Sequence, residues 1–321
     1  MSEAITSIRP FAEADRERVV ELWNEAFPFE STTVEQLAHD DAAVKPPRRA
    51  GRLVAESRDG IVGLADFEQP VGTFDPGTYW LRIYVAPEAR GAGVGAALYD
   101  EVSLLLSAFD PERFRVFWKE DHPVAAEFAG RRGFVEDKRD WEMVLDLTEF
   151  DADSHRSFLE RAIKQGLTIS SLEQWGDATA IGPDFHEFFR QVRQDVPRNE
   201  PLSDLSYQEF TDYVLEAPDL IRDATFFVFD GDAPVAMTMS WFAGDPLELH
   251  TGLTATLGSH RGRGLATALK VTALSWAKEQ GRVRAVTEND VHNVEMLTVN
   301  RKLGYVQQPA LISGVRELTP R

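Results

Sequence analysis

"TLGSHRGRGLATAL", residues 256–269, repeats an earlier stretch, "VAPEARGAGVGAAL", residues 85–98, at an offset of 171. The match aligns Arg90 with Arg261, Gly91 with Gly262, Gly93 with Gly264, Ala97 with Ala268 and Leu98 with Leu269. It persists downstream, where "RRGF" (131–134) falls opposite "KLGY" (302–305), so the loop arginine and the later glycine stand 43 residues apart in both copies. A duplicated domain is the simplest explanation.

Hydrophobic periodicity predicts the same order of elements in each copy. A short strand and an amphipathic helix come first, "ITSI" with "ADRERVVELWNEAF" and "LTISSL" with "PDFHEFFRQVRQ". Alternating strands follow, joined by the hairpin signals Asp59-Gly60 and Asp230-Gly231. A strand then runs into the glycine turn and a helix, and a further strand ("FRVFW", "RAVT") leads to a helix ending at Gly133 or Gly304 and a last strand. The expected division is a first domain over residues 1–150, a connector with one short helix over 151–165, and a second domain over 166–321.

Length agrees with two domains, since 321 residues exceed the roughly 150 of one. The absence of cysteine excludes disulfides, thiolate nucleophiles and cysteine zinc sites, so chemistry falls to oxygen and nitrogen groups, with no metal called for. A formal charge of −19 opposes nucleic acid and anionic membrane, and it favours cationic small molecules; the plain alternative is solubility alone. No apolar run approaches the ~20 residues of a membrane span. "MSEAITSIRPF" lacks the basic and apolar pattern of an export signal, so a cytoplasmic protein is expected, as a monomer or homodimer.

The glycine stretch is an anion site on physical grounds. A helix starting near Gly264 leaves its first backbone N–H groups without intrahelical partners, with the positive end of the helix dipole behind them. Glycines at 262 and 264 remove the Cβ atoms that would block a diphosphate, and Arg261 and Arg263 add charge-assisted contacts. In the first copy Gly91, Gly93 and Ala96 also satisfy a dinucleotide fingerprint, but Thr267 breaks it in the second copy and a hairpin stands where a parallel βαβ unit should begin. Neither copy has the Gly-Lys-Ser/Thr ending of a nucleotide P-loop.

Arg90-x-x-Gly93-x-Gly95 and Arg261-x-x-Gly264-x-Ala266 resemble the acetyl-CoA pyrophosphate loop of the GNAT acyltransferase superfamily, and "NVEMLTVNRKLGY" (293–305) is similar to its second signature. The resemblance covers nearly the whole chain as two domains in tandem, a layout shared with mycothiol synthase-like members. It implies an α/β fold in which each domain is a mixed, mostly antiparallel twisted sheet flanked by helices. It also implies acetyl-CoA, with the diphosphate on Arg261, Gly262, Arg263, Gly264, Leu265 and Ala266 and the thioester carbonyl on strand amides near Leu253 or Ala255. The first loop, Arg90, Gly91, Gly93 and Gly95, is expected either to bind a CoA without turning it over or to brace the other domain.

Acyl transfer to an amine needs a base near the thioester. Glu248 and His250 share one face of the strand before the second loop, because side-chain direction alternates along a strand. Glu248 lies 13 residues before Arg261, the spacing of the glutamate base in similar GNAT enzymes, and a constant offset places Gly77 opposite it. That asymmetry favours the second domain as catalyst. Glu288 is a third base candidate. Each has a plain alternative as a solvated or satisfied polar group.

The family's proton donor, a tyrosine four residues before the Leu-Gly-Phe glycine, is replaced here by Asn300 and, in the first copy, by Ala129. Asn300 retains an amide for the cofactor, while Tyr305 is expected in the core. Asn289 and Asn293 are matched to the pantetheine arm, or Asn293 or Asp290 merely caps a helix; the first copy has Trp118 and His122 there. Asp195, Glu200 and Asp204, in the loop after the first helix of the second copy, are candidates to receive a cationic amine. The expected function is acetyl transfer from acetyl-CoA to a primary amine, small molecule or peptide. The missing tyrosine leaves a non-catalytic acyl-CoA binder or structural protein as the alternative.

Overall fold

The computed structural model describes residues 5–28, 31–196, 198–242 and 244–318. The first copy runs β1 (Ser7–Pro10), α1 (Arg16–Ala26), α2 (Val34–Ala43), β2 (Ala50–Ser57), β3 (Gly60–Glu68), β4 (Thr78–Val85), α3 (Val94–Leu106), β5 (Arg113–Lys119), α4 (Pro123–Arg131) and β6 (Val135–Asp146). The chain continues as α5 (Arg156–Lys164), β7 (Thr168–Ser171), α6 (Leu172–Trp175), α7 (Ala178–Arg193), α8 (Tyr207–Phe210), β8 (Phe226–Asp230), β9 (Ala233–Trp241) and β10 (Glu248–Thr256). It closes with α9 (Leu265–Glu279), β11 (Arg284–Asp290), α10 (Val294–Lys302), β12 (Val306–Gln307) and β13 (Leu311–Glu317). Both Asp-Gly pairs turn hairpins as expected. Helix α7 begins earlier than its proline suggests, because Asp177 caps it by accepting from Ala180 N and Pro183 is carried inside.

Two compact units form, and their division differs from the one expected at residues 150–166. Unit 1 is Met1–Lys138, Asn199–Ser203 and Leu311–Arg321; unit 2 is Arg139–Arg198 and Asp204–Ala310. The last strand of each copy has been exchanged. Residues 140–146 of β6 pair antiparallel with β11 in unit 2, whereas β13 pairs antiparallel with β5 in unit 1 from Leu311↔Lys119 to Glu317↔Arg113. Ile312 accordingly joins the unit 1 core and Met143, Leu145 and Leu147 the unit 2 core. Strand alternation decides which face of β6 is buried and says nothing about which edge it will join, so the exchange is invisible to periodicity.

Each unit is a mixed sheet flanked by helices. Unit 1 orders its strands β1-β2-β3-β4-β5-β13 and unit 2 orders them β7-β8-β9-β10-β11-β6, with β12 also on β6. Among the described residues the pairs within each unit are antiparallel except β4–β5 and β10–β11. The connector is part of unit 2: α5 buries Ala162 in the core and packs on α9. Among the described residues no helix is long and apolar enough to cross a membrane.

Candidate functional site

The two glycine turns share one backbone. Gly91 and Gly93 have φ of 80° and 85°, and Gly262 and Gly264 have 72° and 81°. A side chain at such a left-handed residue costs roughly 1–2 kcal/mol, which is why glycine is required where no packing demands it. Gly93 and Gly264 cap α3 and α9 without a side-chain acceptor. The first amides to bond back are Ala97 N to Gly93 O and Ala268 N to Gly264 O, both 3.0 Å. The amides of 94–96 and of 265–267 therefore lie outside the helical ladder, at the positive end of each helix dipole.

The loop arginines do something the sequence did not suggest. Arg90 Nε donates to Val85 O at 2.9 Å and Arg261 Nε to Thr256 O at 3.2 Å, so each pins its turn to the end of the preceding strand, five residues back. Arg261 Nη2 also meets Asp195 Oδ2 at 2.5 Å. Among the described residues Arg263 makes only a long contact to Ser259 O, 3.5 Å. At the second turn a Cβ on Gly264 would lie 3.1 Å from Phe158 Cδ1 and 3.8 Å from Arg161 Nη1, so α5 brings a ring and a cation against the turn. At Gly93 such an atom would meet nothing within 4 Å.

Beyond each turn's strand the parallel pair opens into a fork. Strands β4 and β5 are paired only from Thr78↔Arg113 to Leu81↔Val116, and β10 and β11 only from Glu248↔Arg284 to His250↔Val286. The forks differ in one residue of register. The β3–β4 ladder runs evenly from Glu68↔Trp80 to Gly63↔Val85. The β9–β10 ladder slips between Thr251↔Ser240 and Thr254↔Thr238, leaving Gly252 and Leu253 opposite Met239 alone. This is a β-bulge, which frees a strand amide from the ladder. Leu253 is thus on the bulge, while Ala255 is back in register opposite Met237. The bulge also corrects the match of the two copies: Glu248 stands against Arg284 as Thr78 stands against Arg113, 171 residues earlier, so its counterpart is Thr78 and not Gly77, and that of His250 is Trp80.

Glu248 is 3% exposed and ion-paired, its Oε2 accepting from Arg284 Nε at 2.5 Å. Burial pushes its pKa up against the opposing pull of Arg284. His250 occupies the last rung of the fork and is half-buried. Burial, and then the charge of Lys270, hold its pKa down to about 4, so it is a neutral imidazole at neutral pH. Glu288, half-buried on β11, stands opposite Glu142 of β6.

The amides of the last strand and helix are largely used internally. Asn300 is fully buried; its Nδ2 donates to Asn289 Oδ1 at 2.5 Å, while its Oδ1 has no partner among the described residues. Asn293 caps α10 by accepting from Met296 N at 3.2 Å, and His122 caps α4 the same way through Ala125 N, also 3.2 Å. Trp118, opposite Asn289 in the repeat, holds its ring where a Cβ on Gly314 would stand. Tyr305 is in the core as expected, its hydroxyl buried beside Thr251 without a well-formed bond. A polar group the sequence did not single out is Lys270, fully buried on α9.

The three acidic candidates for holding an amine are already paired. Asp195 meets Arg261, Glu200 Oε1 meets Arg115 Nε at 2.5 Å within unit 1, and Asp204 Oδ1 meets Arg190 Nε at 2.8 Å. Each is neutralised by a protein arginine. Pro197, in the same loop, lies outside the described residues.

Residues 49–136 match the family described as "Acetyltransferase (GNAT) domain" and residues 184–305 the "Acetyltransferase (GNAT) family". No curated protein matches the chain. Among solved structures it is similar to a tandem GNAT protein from the clavulanic acid biosynthesis pathway, at 17% identity and a TM-score of 0.73, covering 98% of this chain and 99% of that one. It is also similar to a GCN5-related N-acetyltransferase from Sphaerobacter thermophilus (13%, TM-score 0.69, 98% and 96%) and to one from Kribbella flavida (16%, TM-score 0.55, 97% and 72%). At these identities the likeness is one of fold.

Proposed function

The chain belongs to the GNAT acetyltransferase superfamily as two domains in tandem, and from that premise we propose that unit 2 transfers an acetyl group from acetyl-CoA to a primary amine by direct attack. One observation carries the assignment to unit 2: its fork has a bulged strand and an imidazole at the last rung, where unit 1 has an even ladder and Trp80. The residues present fit the donor. Open amides at 265–267 and the left-handed glycines before them suit a diphosphate, with Arg161 adding charge beside Gly264.

Acetyl-CoA supplies the thioester, and the chain supplies orientation and proton handling. The freed amide at Gly252–Leu253 is placed to polarise a carbonyl. His250, neutral and on the fork, takes the proton of the attacking amine. It is nearer the bulge than Glu248, which lies four residues away, about 13 Å of strand at roughly 3.3 Å per residue. Glu248 and Arg284 brace the start of the fork. The net charge of −19 assists approach of a cationic amine, while Asp195, Glu200 and Asp204 serve the fold.

The test is calorimetry with acetyl-CoA followed by turnover across a panel of primary amines. The chain has no cysteine, so a thiol reagent detects released CoA without protein background. Binding with release of CoA dependent on an amine is expected. Binding without release under any amine would favour a non-catalytic acyl-CoA binder, the alternative raised by Asn300.

A further inference from the structure

Lys270, in the second turn of α9, is 1% exposed. Its Nζ donates to Thr251 Oγ1 at 3.2 Å and stands 5.2 Å from the centre of the Tyr305 ring. Among the described residues it has no carboxylate partner, and the titratable groups beside it are His250 on β10 and Tyr305 after α10. Lysine is almost never fully buried without a counter-charge, because an ammonium withdrawn from water loses its hydration. Burial draws this one down to about 7, where its proton is easily given and regained. Packing does not account for it, since α9 is buried on most sides by Leu265, Leu269, Val271 and Leu274, and another apolar residue would fill the position without that penalty.

Thr251 connects this amine to the fork. It follows His250, the last residue paired with β11, and precedes the Gly252–Leu253 bulge. Its hydroxyl donates to Val286 O over 3.4 Å, a long bond that a stronger acceptor would displace. Asn300, where the family's tyrosine would stand, holds Asn289 through its Nδ2 and carries no hydroxyl proton to give. In unit 1 the residue 171 before Lys270 is Tyr99, whose hydroxyl accepts from Arg316 Nη1 at 2.7 Å, so the first fork has no buried amine there.

Resting on the assignment of unit 2 as an acetyl-CoA-dependent transferase, we propose that Lys270 supplies, through the Thr251 hydroxyl, the proton that neutralises the departing CoA sulfur. The amine nitrogen bonds to the carbonyl carbon and the carbon–sulfur bond breaks, its electron pair remaining on sulfur. Sulfur takes the Thr251 hydroxyl proton as that oxygen takes one from Lys270. The surplus proton of the amine passes to His250. After CoA leaves, Lys270 regains a proton from water and His250 returns one.

The test uses the full chain with CoA bound and follows the lysine Nζ resonances by nuclear magnetic resonance as pH is varied. One amine should titrate near pH 7, about three units below an ordinary lysine, and Lys270→Met should remove that resonance alone. The same variant should lower kcat at least about tenfold and abolish a fall in kcat that the wild type shows above about pH 7. A chain in which no lysine titrates near pH 7, or a Met variant with unchanged kcat and pH profile, overturns the proposal. Should Lys270→Met fail to fold, the wild-type kcat profile decides alone, and a profile with no fall above about pH 7 overturns the proposal. Failure of the wild type to bind CoA or to turn over overturns the transferase assignment itself, and this proposal with it.

Discussion

Gly91 and Gly93 in unit 1 and Gly262 and Gly264 in unit 2 hold φ between 72° and 85°, yet only the second pair follows a strand that bulges. The turns are one device made twice, because a left-handed glycine and an uncapped helix start depend on backbone alone. What separates the units sits on the strand and helix around the turn. Thr78, Trp80 and Tyr99 in unit 1 stand where unit 2 has Glu248, His250 and Lys270. An intact anion cradle therefore says where a diphosphate fits and nothing about which copy performs chemistry.

The largest effect expected from breaking this comparison is at the cap glycines. Gly264→Glu places a carboxylate on a left-handed residue whose Cβ would already crowd Phe158, against the amides that should receive a diphosphate. Amine-dependent CoA release should fall below detection. Gly93→Glu should leave at least about half of it, the cost there being roughly 1–2 kcal/mol of backbone strain read in thermal unfolding. Equal losses from the two substitutions would merge the roles of the units.

A smaller effect sharpens the division of labour along β10. His250→Gln should lower kcat/KM by about 10²–10³, within the range of a lost general base. Glu248→Gln should lower it about tenfold or less and leave acetyl-CoA affinity unchanged. The pH profile gives an independent check. A base must be unprotonated to act, so activity falls as pH drops through its pKa, and with His250 in that role the acid limb of kcat/KM bends near pH 4. Burial raises Glu248 instead, so a limb bending above the ordinary glutamate value and absent from Glu248→Gln would transfer the role to the carboxylate.

The sequence carried the repeat, the hairpins and both glycine turns because each depends on residues adjacent in the chain. It did not carry the exchange of β6 and β13, since a strand's alternation specifies a face and not an edge. The bulge left only a faint trace, a glycine in "HTGLTAT", and it displaced the match of Glu248 by one residue. Asp195 and Arg261 are 66 residues apart and Glu200 and Arg115 are 85 apart, so nothing local revealed that these acids were already paired. Lys270 was readable in principle. A lone lysine inside "LATALKVTALSWA", apolar on most sides, is the mark of a buried charge.

The most direct measurement is a crystal structure of the chain with acetyl-CoA. The diphosphate should lie on the amides of residues 262–267, and the thioester carbonyl oxygen should lie within hydrogen-bond distance of the bulge amide at Gly252–Leu253, with His250 facing the acetyl group. Acetyl-CoA bound only at the Arg90–Gly95 turn, or a thioester remote from the bulge, would contradict the assignment of chemistry to unit 2.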